Sequence, residues 1–387
     1  MTKEDYISSF IYLVMAGIIL AVGLLVFRPA MSSGYIAQTA GQNFAFLLVA
    51  LLIGVLINVA FIEVGHLIGG LIGGYEILSF NMLGLCFYKE LVKNTAKPQL
   101  KFKFKSFNGL SGETIIKPKK EKSNPMFYVF TPLLLILLEF VALYCAVVFI
   151  KTPERANTGD PLQFIKYGVI VVATIGGCFA FYNYFPAKLD SLNDGYRIVA
   201  LNKKINVVAY NEKLLLEAND YYGIKNEKVT VFDEITDFTA QVNLLAAKHE
   251  FVNGNVDKTL EILDKNIENK AKMSKSTLLE NEIEKAYVLF MTKDIEEATN
   301  YYKSLDETTR NYILGCKDLP SIRTYILYIG LVEKSASEIK FALNKKKKAL
   351  ERVTDGVGKA ESDAIDRALE KVYSVYPELK ETKKENK

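Results

Sequence analysis

Polar residues interrupt otherwise apolar stretches of the chain, among them Asn58, Glu63 and His66 in one stretch and Glu139 in another. A charged group inside a membrane-length helix costs several kcal/mol, so such residues are candidates for chemistry. Glu63 and His66 stand three residues apart in the string IEVGHLIGG. On a helix this spacing sets a carboxylate beside an imidazole. The string differs at one position, Ile62, from H-E-x-x-H, in which two histidines one turn apart hold zinc and the glutamate polarises its water. Asn58, Ile62 and His66 recur every fourth residue and share a helix face. Glu139 alone reads as a snorkelling or hydrogen-bonded side chain rather than a ligand. Asp194-Gly195 alone reads as an ordinary turn into a helix. The glycines at 65, 69, 70, 73 and 74 signal close helix packing.

The elements that must position these residues are membrane spans. Four runs, at about 8–27, 44–74, 126–150 and 163–182, can each cross roughly 30 Å of hydrocarbon as a helix. The first lacks a convincing small-residue cleavage site and more spans follow, so it reads as retained. Lysine and arginine set the orientation. The loop at 28–43 has only Arg28, and that at 151–162 has Lys151 and Arg155, but the connection between spans two and three holds ten lysines. That connection is expected in the cytosol, and with four spans both termini join it there.

Within this connection KFKFKSF (101–107) alternates strictly, and TII follows a glycine-containing turn, NGLSG. Period two predicts a small β-hairpin or sheet at the cytosolic membrane face. KPKKEKSNP (117–125) reads as a solvated loop. Across all 387 residues half are apolar, yet the second half holds most of the acidic residues. Two domains follow, one for lipid and one for water. A net charge of +4 is too small to argue for nucleic acid. Cys86, Cys145, Cys178 and Cys316 form no C-x-x-C pair, in keeping with packing roles in a reducing compartment or the bilayer.

After residue 187 the chain turns soluble in character. Segments 236–270 and 280–305 both show helical periodicity with a central break, and an offset of 39 residues aligns Ala247 with Ala286, Gly254 with Lys293 and Leu263 with Tyr302. The pattern loosely resembles the tetratricopeptide helix-turn-helix, although the spacing exceeds that family's roughly 34 residues and its small residue is Thr259 in the first copy. A generic helical bundle is the alternative. A third hairpin is weaker, near 321–350.

The membrane half resembles the site-2 protease family of intramembrane zinc metalloproteases over residues 40–200. Its second signature, N-x-x-P followed by Asp-Gly, is matched by Asn183-Tyr-Phe-Pro186 and Asp194-Gly195. The order of motifs, one intervening span and the β segment also match. The resemblance implies that Glu63 is the general base and that His66 and Asp194 are zinc ligands. Asn183 and Pro186 would form the bend that presents the aspartate and helps hold a substrate strand. The stretch from Pro186 to Asp194 is long for the family, so Asp190 is a rival ligand. Ile62 stands where the first histidine ligand belongs and offers no lone pair. Asn58 or Glu139 would be an unusual replacement, and His249 lies in the soluble half.

The expected architecture is an α-helical membrane protein. It has four transmembrane helices with a small membrane-associated β element over residues 1–200. A C-terminal all-α helical-hairpin domain over 201–370 and a disordered tail over 371–387 complete it. The expected function is that of a pseudoprotease with weakened or absent zinc, binding a membrane-embedded peptide or protein segment, with a cytosolic partner on the helical repeats. An active metalloprotease with a substitute ligand, and a non-enzymatic membrane scaffold, are the alternatives. The bacterial plasma membrane is the expected location.

Overall fold

A computed structural model of the chain describes residues 3–82, 84–90, 98–104, 113–119, 123–152, 160–188, 192–353 and 355–380. The chain divides into two compact units, Met1–Val207 and Val208–Lys387.

In the first unit, α1 (Lys3–Val22) continues through a π-helical turn (Gly23–Phe27) into α2 (Arg28–Ser32). Then come α3 (Ala40–Ile72), four strands, α4 (Pro125–Phe149), α5 (Pro161–Tyr184) and the short α6 (Asp194–Ala200). The stretch Asp5–Ser32 and helices α3, α4 and α5 are the four helices long and apolar enough to cross a membrane among the described residues. Their starts are written locally. Thr39, Asn124 and Asp160 each accept a hydrogen bond from a first-turn backbone N–H, and Pro125 and Pro161 occupy first-turn positions where no N–H is missed. At 33 residues α3 is about 50 Å long, well beyond the roughly 30 Å of a hydrocarbon core.

The connection between α3 and α4 forms an antiparallel sheet of order β3-β2-β1-β4. Its strands are β1 (Tyr75–Met82), β2 (Leu85–Glu90), β3 (Gln99–Phe104) and β4 (Glu113–Pro118). Two strands fall where alternation predicts them, and two more, β1 and β2, extend the sheet toward α3. The loop expected from residue 117 begins two residues later, because Lys117 and Pro118 pair with Glu76 and Tyr75. The NGLSG turn lies outside the described residues.

The boundary between the units falls within α7 (Lys204–Tyr221). The second unit then runs α8 (Asp237–Val252), α9 (Val256–Glu268), α10 (Lys275–Thr292), α11 (Ile295–Ser304), α12 (Glu307–Leu314), α13 (Leu319–Tyr328), α14 (Ala336–Leu350) and α15 (Asp355–Val375). The two segments offset by 39 residues each form a helix pair, α8 with α9 and α10 with α11. Ala247, Thr259, Ala286 and Ala298 are fully buried. Three buried asparagines link the first three helices of this array. Asn243 donates to Asn266 at 3.2 Å, and Asn266 donates to Asn281 at 2.8 Å. Residues 371–380, expected to open a disordered tail, instead finish α15 and add a 3-10 turn (Pro377–Leu379) that buries Leu379. The apolar positions Val372 and Leu379 supply core contacts that the lysine-rich composition hides.

The core of this unit also contains charge. Arg323 stacks on the Tyr287 ring at 3.9 Å and pairs with Glu284 at 3.3 Å and with Glu361 at 3.1 Å. Lys248 stands 3.5 Å from Glu361. Burial opposes the charge on Glu361, but Arg323 and Lys248 outweigh it and hold the carboxyl below the usual glutamate range. A depressed carboxylate contributes stability above its unfolded pKa and loses it as pH falls through the folded value. Glu361→Gln should therefore lower thermal stability at neutral pH and flatten the loss of stability below about pH 4.3. Arg323→Met leaves two carboxylates facing an apolar side chain and should cost about 3–5 kcal/mol. Hydrogen exchange over α10, α13 and α15 in the full chain would register both effects.

Candidate functional site

The close approach of α3 to α4 comes first. Gly65 lies against Pro132, and Gly69 against the Phe127 carbonyl and the Thr131 hydroxyl; a Cβ at either glycine would collide with them. Pro132 sits inside α4 and has no N–H to give the carbonyl four residues earlier, that of Tyr128. His66 Nδ1 lies 3.0 Å from that carbonyl oxygen. A carbonyl only accepts, so Nδ1 carries the proton and donates it. The imidazole also packs on the Tyr128 ring, with centroids 4.7 Å apart. These contacts turn Nε2 toward Asp194, whose Oδ2 is 3.5 Å away.

Asp194 reaches this point because α6 is clamped to the end of α5. The Asn193 side chain caps α6 by accepting from Tyr196 N at 2.9 Å, and its amide donates to the carbonyls of Tyr182 at 3.1 Å and Phe185 at 2.7 Å. Gly195 presses against the Tyr184 backbone, where no Cβ would fit. The Tyr184 hydroxyl in turn donates to Val129 of α4 at 3.0 Å. One turn into α6, Arg197 Nη1 lies 3.4 Å from Asp194 Oδ1. Asp194 is thus buried between an imidazole on one oxygen and a guanidinium on the other.

A metal can be tested against this geometry. Two ligands at about 2.0–2.2 Å in a tetrahedral arrangement stand roughly 3.3–3.6 Å apart. The His66–Asp194 separation of 3.5 Å suits one edge of such a tetrahedron. Glu63 is buried on α3, one turn before His66. Beyond that the fit ends. Among the described residues no third histidine, cysteine, aspartate or glutamate joins these groups in a metal-sized cluster, and Ile62, one turn before His66, offers no lone pair. Asp190 lies outside the described residues. A catalytic zinc ion with three protein ligands does not fit the residues described.

Asn58 and Glu139, weighed as substitute ligands, meet each other instead. Asn58 lies eight residues before His66, about 12 Å along the helix. Its amide donates to Gly54 O at 3.0 Å and Val172 O at 3.1 Å. Its remaining oxygen and the Glu139 carboxyl both border Gly176 of α5, whose missing side chain leaves room for them. None of these three buried oxygens meets a donor in good hydrogen-bond geometry among the described residues, and the Asn58 amide is the polar group close enough to act on the Glu139 carboxyl. This is a separate polar contact of α3, α4 and α5.

Asn183 is half-buried in the last turn of α5, and Pro186 is exposed just beyond it, where the helix has ended. Two further cavities stand out. One of about 500 Å³ lies between the end of α3 and the sheet, lined by Leu67, Leu71, Ile77, Phe80, Phe87 and Leu100 among others. One of about 280 Å³ in the second unit is bordered by Lys248, Glu280, Glu284, Asp318 and Glu361. Sequence reasoning passed over Pro132, Asn193 and Arg197. A proline inside an apolar span and an arginine one turn after the motif aspartate were the available signals. Comparison with family models, curated proteins and solved structures finds no match to this chain.

Two outcomes follow. Pro132→Ala restores a backbone donor to the Tyr128 carbonyl, so it should loosen the His66 contact. The chain has only two histidines, so 15N-histidine NMR should show the Nδ1–H tautomer of His66 depopulated; an unchanged spectrum would refute the role of the proline. Glu139→Gln supplies an N–H for Asn58 Oδ1 and should keep thermal stability within about 1 kcal/mol, whereas Glu139→Ala opens a cavity beside an unmet oxygen and should cost about 2–4 kcal/mol.

Proposed function

We propose that the chain is a site-2 protease-like membrane protein whose zinc site is reduced to two ligands and which works as a pseudoprotease. The observation that carries this reading is the meeting of His66 and Asp194 at 3.5 Å, beside buried Glu63, with Ile62 in the remaining ligand position. Zinc, where a complete site holds it, acidifies a bound water for attack on a peptide carbonyl. With two ligands no such step is available, and what survives is the binding part. The apolar cleft beside Leu67 and Leu71 suits a membrane-embedded peptide or protein segment, and Asn183 and Pro186 would hold its strand. The helix pairs of the second unit, similar to tetratricopeptide hairpins, would engage a cytosolic protein. On this reading the protein is multi-pass in a plasma membrane, with both termini and the lysine-rich sheet in the cytosol.

The purified full chain should carry well under one zinc per molecule by elemental analysis, and Glu63→Gln should leave the turnover of any co-expressed membrane protein unchanged. Stoichiometric zinc that disappears in His66→Ala would falsify the metal-free form of the proposal. It would favour the active enzyme with a substitute ligand, for which the retained Glu63 and the zinc-like separation are the supporting observations.

A further inference from the structure

We infer that Arg197 takes the electrostatic place of the metal, making Asp194 the centre of a built-in, zinc-excluding clasp between α3 and α6. The inference rests on the pseudoprotease reading and assigns a residue that the family motifs do not mention.

Both oxygens of Asp194 are committed. Oδ2 faces His66 Nε2 at 3.5 Å, and Oδ1 faces Arg197 Nη1 at 3.4 Å. His66 already spends its Nδ1 proton on the Tyr128 carbonyl. Its Nε2 faces the Asp194 carboxylate, whose buried negative charge needs positive charge nearby. In a complete site the metal supplies that charge. Here a guanidinium does, and it is permanently protonated. Its position is set by the fold: Arg197 is three residues after Asp194 on α6, whose start Asn193 and Gly195 fix against the end of α5. The Asp194 side chain is 7% exposed and that of Arg197 33%, so the pair is only partly screened by water. A divalent cation brought to His66 and Asp194 meets this fixed positive charge behind the carboxylate, which competes for Asp194 and repels the ion.

Loss of a ligand and presence of a competing cation are then two separate barriers to zinc, and restoring one leaves the other. The test titrates zinc into the full-length protein in detergent, with the bound metal read by elemental analysis and competition with a chromophoric chelator. Ile62→His alone restores a third ligand and should bind zinc weakly. Ile62→His with Arg197→Gln should bind it roughly tenfold tighter or more. Ile62→His with Arg197→Lys keeps a positive charge and should stay as weak as Ile62→His. Arg197→Met, uncharged and of similar length, replaces the glutamine variant should that one not fold. Equal zinc affinity in Ile62→His and its Arg197→Gln or Arg197→Met derivative would overturn the inference, as would tight binding in the lysine variant or no binding in the uncharged variants. None of these results touches the pseudoprotease reading, which falls instead on stoichiometric zinc in the unaltered protein.

Discussion

The first unit depends on one missing hydrogen bond. Pro132 cannot donate to the Tyr128 carbonyl, and in a helix surrounded by apolar side chains an acceptor left over in this way needs a donor from elsewhere. His66 provides it from α3. The arrangement requires α3 and α4 to approach closely, which Gly65 and Gly69 permit by offering bare backbone to Pro132 and Phe127. The imidazole is thereby oriented before anything binds to it. Its tautomer follows from the acceptor-only chemistry of a carbonyl, and the direction of Nε2 follows from where Nδ1 and the ring are held.

A second set of contacts brings the aspartate. α5 ends at Tyr184, and the chain returns to the helix end through an Asn193 side chain that satisfies two carbonyls and one amide at once. Backbone groups at helix ends need such partners, and here the same asparagine closes α5 and opens α6. Asp194 arrives as the first residue of α6 with His66 ahead of it and Arg197 one turn behind. The three side chains form a short polar row that joins helices far apart in sequence, and its charges balance within the protein.

The buried polar residues of the first unit's helices separate into two groups with different partners. His66 of α3 and Asp194 of α6 meet at 3.5 Å, with no third metal-binding side chain clustered on them among the described residues. Asn58 and Glu139 meet at Gly176, where three helices cross, and the two roles do not mix. In the second unit, Arg323, Glu284, Glu361 and Lys248 form a buried network in which each charge has an opposite neighbour. Removing one partner there leaves the others uncompensated, which is why such networks are costly to break even when their net contribution to stability is modest.

Much of the fold was legible in the sequence, because it depends on short-range rules. Uninterrupted apolar length marked the four membrane-length helices to within a few residues, and alternation at Lys101–Phe104 marked β3. The 39-residue offset placed the helix pairs α8–α9 and α10–α11. The strands β1 and β2 were missed, since a half-buried strand following a long apolar helix looks like its continuation. Of the candidate site, the residue types were readable at Glu63, His66 and Asp194, and so was the isoleucine one turn before His66. Their meeting was not, because 128 residues separate His66 from Asp194 and only packing can close that distance. Packing also decided that Asn58 and Glu139 belong together and away from His66, and that a carbonyl freed by Pro132 orients the imidazole. The arginine behind the aspartate was in plain view as a letter. Its partnership with a buried carboxylate exists only because α6 is folded back against α5, and that long-range contact is what the tertiary structure alone determines.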